Sequence, residues 1–168
     1  MSKTSVFFGG DNQVGTTMIA QSVAELVGKK GEKTLLILAS GQYGTDYISN
    51  KVNFSLDDIR SNLASNNLLS GDVRDIVMEY NGISVLPGIK NISTIKYYSE
   101  EDIDKIVNSI ENDYDQIIID GGCNVQYGLN ISSLKYGKNR YYVVTQQEKC
   151  LRRFENICNT CLLYTSTS

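Results

Sequence analysis

At 168 residues the chain can bury one core but not two ordinary ones, and 41% hydrophobic and 21% charged residues with a single proline describe a globular domain without low-complexity tracts. A formal charge of −3 gives no support to a broad nucleic-acid footprint, so nucleic acid is not an expected partner, and the lack of histidine excludes Ser/His/Asp and Cys/His catalytic sets. No apolar run approaches the roughly 18 residues of a membrane-spanning helix and no secretory layout opens the chain, so a cytoplasmic location without a transmembrane segment is expected.

In chain order, the first apolar run is Ser5-Val6-Phe7-Phe8, continuous rather than alternating, as in a strand covered on both faces. A glycine-bearing loop follows, then a helix from about Thr16 to the Gly28–Gly31 region, with Ile19, Val23, Leu26 and Val27 on one face. Leu35-Leu36-Ile37-Leu38 is a second strand. Ser55 with Asp58 three residues on announces another helix through a variant capping box, and Ser99 with Asp102 repeats the signal. Between them, Asn81-Gly82 joins Ile76-Val77-Met78 to Ile83-Ser84-Val85-Leu86 as a tight hairpin, which makes one strand antiparallel. The second capped helix carries Ile103, Ile106, Val107 and Ile110 and leads into Ile117-Ile118-Ile119, and Tyr141-Tyr142-Val143-Val144 closes the set. Such alternation predicts an α/β fold, a mostly parallel sheet with helices on both faces.

The loop between the first strand and the first helix carries the chemistry. Gly10, Asp11, Asn12, Gln13, Val14, Gly15, Thr16, Thr17 and Met18 run from a strand end into a helix start, the setting of a phosphate-binding loop. There, successive backbone N–H groups and the helix N-terminus form an anion site before any side chain is counted. A glycine-rich turn with no ligand is the plainer alternative.

The stretch resembles the deviant Walker A loop of the MinD/ParA family, K-G-G-x-G-K-[ST]-T. Asp11 stands at the first, dimer-bridging lysine, Asn12 and Gln13 replace the two glycines, and Thr16 occupies the phosphate-binding lysine position. Gly15 matches, and Thr17 matches the hydroxyl residue that coordinates magnesium. Tyr114 to Asp120 is similar to the family's Walker B strand, with Asp120 at the metal's water shell, and Leu86-Pro87-Gly88 and Tyr141 to Glu148 are similar to later family segments. The resemblance implies a P-loop NTPase fold over residues 1–160, truncated at its C-terminus, binding ATP or ADP with Mg2+ held through Thr17 and Asp120. It also implies a homodimer and a polar or membrane-associated protein partner that recruits the chain to the membrane or cell pole.

The departures weigh against turnover. Thr16 offers one hydrogen bond of net value about 1 kcal/mol where a lysine would supply charge to the phosphates. Asp11 repels phosphate unless it turns to solvent. Leu38-Ala39-Ser40 replaces the D-x-D whose first aspartate positions the attacking water, with Asp46 downstream. A loop altered this way is similar to the TadZ/CpaE branch, which implies a protein that positions pilus or secretion machinery, with weak or no ATP hydrolysis. An active partition or division-site ATPase and a nucleotide-free adaptor are the alternatives.

Residues 161–168 resemble a translated sequencing adapter and are expected to be a non-native tail. Cys158-x-x-Cys161 then reads as unrelated thiols rather than half a zinc site. Gly121-Gly122-Cys123-Asn124 falls where family members carry a switch segment. Cys123 reads as a small half-buried residue, the paired tyrosines as strand and helix margins, and Lys149, Arg152 and Arg153 as a solvated helix face.

Overall fold

The computed structural model describes residues 3–41, 48 and 53–165. Six strands form one sheet: β1 (Lys3–Gly9), β2 (Thr34–Leu38), β3 (Met78–Tyr80), β4 (Ile83–Leu86), β5 (Gln116–Asp120) and β6 (Asn139–Val143), in the order β3-β4-β2-β5-β1-β6. All neighbours are parallel except β3 against β4. The Asn81-Gly82 turn has φ of 49° and 80°, the left-handed pair that a two-residue hairpin needs. The hairpin starts later than its apolar run indicates, because Ile76 closes a helix instead of opening the strand.

Among the described residues six α-helices flank the sheet: α1 (Thr16–Lys29), α2 (Leu56–Ala64), α3 (Ser70–Ile76), α4 (Asp102–Ile110), α5 (Gly128–Tyr136) and α6 (Glu148–Thr165). The Ser55 signal is a capping box, with the Ser55 N–H donating to Asp58 at 2.7 Å. The Ser99 N–H donates to Asp102 at 2.8 Å, but α4 begins at Asp102 behind Glu101, so that contact precedes the helix rather than capping it. Helix α6 continues without a break across the boundary expected at residue 161. No helix among the described residues is long and apolar enough to cross a membrane.

Alternation along the central strands divides the core. Val6, Leu35, Ile37, Leu86, Ile117 and Ile119 face α2 to α5 and join Leu56, Leu63, Ile103, Ile106 and Ile110 in the larger cluster. Phe7, Leu36, Leu38, Val85 and Ile118 point the other way, against α1. The face of α1 that meets the sheet is the expected one only in part: Ile19 and Val23 pack against it half-buried, but its fully buried positions are smaller residues. Ala20 and Ala24 are fully buried, whereas Leu26 is 56% exposed. One turn further on, a Cβ at Gly28 would lie 2.6 Å from Ile83 Cγ2, so small residues let this helix sit close on the strands. The last strand also departs from its pattern: β6 lies at the sheet edge with Tyr141 half exposed, stacked on Phe7 at 5.0 Å between ring centroids.

Candidate functional site

The loop after β1 is pinned at its root. The Gly9 N–H donates to Gly122 O at 2.7 Å and the Gly10 N–H to Val143 O at 2.8 Å, which tie it to the segment after β5 and to the end of β6. Gln13 and Gly15 take φ of 60° and 89°, turning the chain back toward α1. The left-handed bend therefore survives although glutamine stands at the first of these positions, where an L side chain is disfavoured by roughly 1–2 kcal/mol.

Helix α1 opens on Gly15 with no side-chain cap and no acidic residue in its first turn, so its N-terminal dipole faces a cleft of about 290 Å³. Of the nine loop residues singled out by sequence, Asp11, Asn12, Gln13, Gly15, Thr16, Thr17 and Met18 line that cleft, together with Ser40, Gly122 and Cys123. Gly10 and Val14 do not line it. Gly10 gives its N–H to the sheet, and a Cβ there would meet Cys150 Sγ at 3.0 Å. Nor is the Asn12 N–H turned into the cleft, because it donates to the Asp11 carboxylate at 2.8 Å.

Two residues 103 apart in sequence meet at the helix start: Thr17 Oγ1 donates to Asp120 Oδ2 at 2.6 Å. Asp120 is fully buried at the end of β5, where its Oδ1 accepts from the Gly122 N–H at 3.2 Å. A hydroxyl and a carboxylate oxygen beside an uncapped helix N-terminus suit a hard cation that keeps most of its waters and shares an anionic ligand. No group of three or more acidic, cysteine or histidine side chains that could hold a metal by themselves occurs among the described residues. The donor set thus fits magnesium carried in on phosphate, with Thr17 and Asp120 as the protein's contribution. Thr16 is buried, and its Oγ1 lies against Gly9, where an added Cβ would meet it at 2.5 Å.

Asp11 does not turn to solvent, and the basic cluster expected as a solvated face is solvated only in part: Lys149 is 77% exposed at its side chain, but both it and Arg153 engage Asp11. Arg153 Nη1 donates to Asp11 Oδ1, and Lys149 Nζ lies 3.3 Å from Asp11 Oδ2. Only 12% of the Asp11 side chain is exposed. The Asn12 N–H lowers the Asp11 carboxyl below the ordinary range, reinforced by Lys149 and Arg153. Arg152 alone keeps the expected role, paired with Glu148 one helical turn back on the surface. Sequence reading missed the pair because Asp11 and Arg153 stand 142 positions apart, and charge type was the only available signal.

Asn130 is a second residue that sequence reading missed. It is fully buried, and its Nδ2 donates to Ala39 O at 3.0 Å, Ser40 O at 3.2 Å and Gly121 O at 2.7 Å. One carboxamide therefore binds the ends of β2 and β5 together beside the cleft. Cys123, expected half-buried, is buried, with its thiol donating to Asn12 Oδ1 at 2.9 Å and burial pushing its pKa up, so it is held as a protonated hydrogen-bond donor. Among the described residues the end of β2 brings Ser40 and no carboxylate to the cleft; Asp46 lies outside them.

No family model matches the sequence, and no curated protein matches it either. The fold does have relatives. A ParA family ATPase from Chlorobium tepidum TLS superposes with a TM-score of 0.79 at 20% identity, over 96% of this chain and 68% of that one. A plasmid partition protein from Borrelia burgdorferi gives 0.76 at 16% identity, over 94% and 72%. The septum site-determining protein MinD from Pyrococcus horikoshii OT3, complexed with Mg-ADP, gives 0.70 at 19% identity, over 96% and 66%. The chain thus has the fold of MinD/ParA-type P-loop NTPases and spans about two-thirds of the length of these structures.

Proposed function

We propose that the chain binds a magnesium–adenine nucleotide, ATP or ADP, through the loop from Gly10 to Met18, with Thr17 and Asp120 holding the metal, and uses the bound state to position a cellular assembly. The observation that carries this reading is the Thr17–Asp120 contact at an uncapped helix start that opens on a cleft. The fold of a septum-site protein solved with Mg-ADP supports it further. Magnesium, when bound, supplies positive charge to the phosphates. The chain's own residues orient it through one hydroxyl and one carboxylate, and the α1 dipole adds favourable potential for the anion.

Little or no hydrolysis is expected. Thr16 brings no charge and keeps its hydroxyl under Gly9, Asp11 adds a carboxylate to the loop, and Ser40 cannot act as a base. Within this reading, residues 1–160 are the nucleotide domain and 161–168 a non-native tail. The protein is a cytoplasmic homodimer of the TadZ/CpaE kind that docks on a polar or membrane-associated partner of a pilus or secretion complex.

A second reading, an active partition or division-site ATPase, is favoured equally by the fold, since structures of that description superpose on this chain. One experiment separates the two. Thermal shift with ATP, with and without Mg2+, is measured beside steady-state phosphate release for the wild type and Asp120→Ala. A magnesium-dependent shift lost on Asp120→Ala, with release at background, supports binding without turnover. Multiple turnovers lost on the same substitution would establish the ATPase instead. No shift at millimolar nucleotide would leave a scaffold adaptor.

A further inference from the structure

The loop bears a carboxylate where phosphate is to bind, and that carboxylate is engaged by cations from another element. Asp11 meets Arg153 and Lys149 of α6, two positive groups on one negative one, so the cluster carries net positive charge at the lip of the cleft. Arg153 is also a wall of the neighbouring cleft, which shares Asn12, Ser40 and Cys123 with the cleft over the helix start. A guanidinium placed there presents a planar fork of donors suited to two oxygens of one anion, whether carboxylate or phosphate. Helix α6 is also held by buried Cys150, whose Sγ accepts from the Thr145 N–H at 3.3 Å, by Ile157 and by Phe154 on Tyr142, whereas Lys149 is 77% exposed at its side chain.

We propose that Asp11 is a built-in anion that occupies Arg153 and Lys149 until the polyphosphate of a bound nucleotide takes them over, so that binding exchanges one partner of α6 for another. The inference rests on the nucleotide reading above and adds its regulation: the cation missing at Thr16 arrives from α6, and Asp11 competes with the ligand for it. Two opposite consequences follow. Removing the carboxylate helps the ligand, and removing the guanidinium hurts it, in proportion to the number of phosphates.

The test is calorimetric titration of the whole chain with ATP, ADP and AMP in excess Mg2+, for the wild type, D11N, R153Q and R153K, each first checked for an unchanged circular dichroism spectrum. R153Q is expected to weaken ATP by about tenfold to a hundredfold, the range of a hydrogen bond to a charged group, while AMP changes by less than about threefold. R153K recovers part of the loss, and D11N tightens ATP several-fold. Hydrogen exchange of the amides in residues 148–159 is expected to be faster in D11N than in the wild type and to slow again when Mg-ATP is added to D11N. Loss of ATP affinity in both D11N and R153Q would show a mere structural tether and overturn the proposal, as would an unchanged ATP-to-AMP ratio in R153Q. A wild type that binds none of the three nucleotides would overturn the site reading together with this inference. Binding with unaltered ratios would overturn this inference alone.

Discussion

The two faces of the sheet are built on different terms. Against α2 to α5 lies a thick layer of large aliphatic side chains, with Leu56, Leu63, Ile103, Ile106 and Ile110 interleaved with alternate strand residues. Against α1 the strands are just as apolar, but the helix answers with Ala20 and Ala24 at its fully buried positions, flanked by half-buried Ile19 and Val23. The first arrangement supplies burial, at about 1.5–3 kcal/mol for each large aliphatic side chain. The second supplies proximity. It brings the start of α1 down onto the strand ends, where Thr17 reaches Asp120. One face holds the fold and the other sets the geometry of the loop, and the two respond to opposite kinds of mutation.

The sharpest way to break that distinction is to remove bulk from the thick layer. Ile106→Ala is expected to cost about 2–5 kcal/mol, read as a fall in the urea midpoint, because Ile106 is fully buried among α3, α4 and α5. The affinity of the remaining folded protein for Mg-ATP should stay within about twofold. A selective loss of affinity would mean that the thick layer also sets the loop. The complementary change adds one methyl to the thin side. Gly28→Ala would ordinarily stabilise a helix by up to about 1 kcal/mol. Here the new Cβ meets Ile83 Cγ2 at 2.6 Å and Gly82 O at 3.1 Å, so a loss of about 1–3 kcal/mol is expected, with weaker nucleotide binding as α1 lifts. A stabilised Gly28→Ala protein would refute the close-approach argument.

A smaller effect of the opposite sign tests the loop itself. Gln13→Gly relieves a left-handed residue, and the added freedom of the unfolded chain offsets part of the gain. A net stabilisation of about 0.5–1 kcal/mol is expected from chemical denaturation. A loss would show that the Gln13 side chain contributes contacts that outweigh its backbone strain.

The same contrast explains what could be read from the sequence. The thick layer announces itself: Ile103, Ile106, Val107 and Ile110 repeat with helical period, and all four are buried. The thin layer is legible only in part: Ile19 and Val23 do pack against the sheet, but the fully buried positions are alanines and the large Leu26 on the same helix points to water. Helix α5 was invisible for a related reason. Buried nearly all round, with Asn130, Ser132 and Ser133 inside, it has no apolar stripe to detect. Within the candidate site, the loop and Asp120 were legible because a strand–loop–helix junction is a local pattern. Arg153 and Asn130 were not, since their roles exist only once distant strand ends and helices meet.

The smallest expected effect concerns acid, and it returns to the thick side. Asp57 on α2 accepts from the Lys90 and Asn91 N–H groups at 2.9 and 3.0 Å, from Thr94 Oγ1 at 2.5 Å and from Tyr98 Oη at 3.1 Å, fastening the segment after β4 to the helix. Partial burial raises this carboxyl, but the four donors outweigh it, and the net pKa lies below the ordinary 3.8. The sign follows directly. With the folded pKa depressed, the stabilisation is fully present above the unfolded value near 4 and disappears as pH falls through the folded one. Its size is limited by solvent screening, because Asp57 remains partly exposed. Asp57→Asn lowers stability at pH 6, since an amide cannot accept all four bonds, and it should flatten the decline between pH 5 and pH 2.5. Asp11, depressed by its own backbone contact with Asn12 and by Lys149 and Arg153, titrates in the same window but fastens α6 instead. Urea midpoints at the two pH values for D57N, D11N and the double variant separate the two tethers. Additive flattening is expected of carboxylates on separate elements, whereas a D57N slope identical to wild type would remove Asp57 from the acid response.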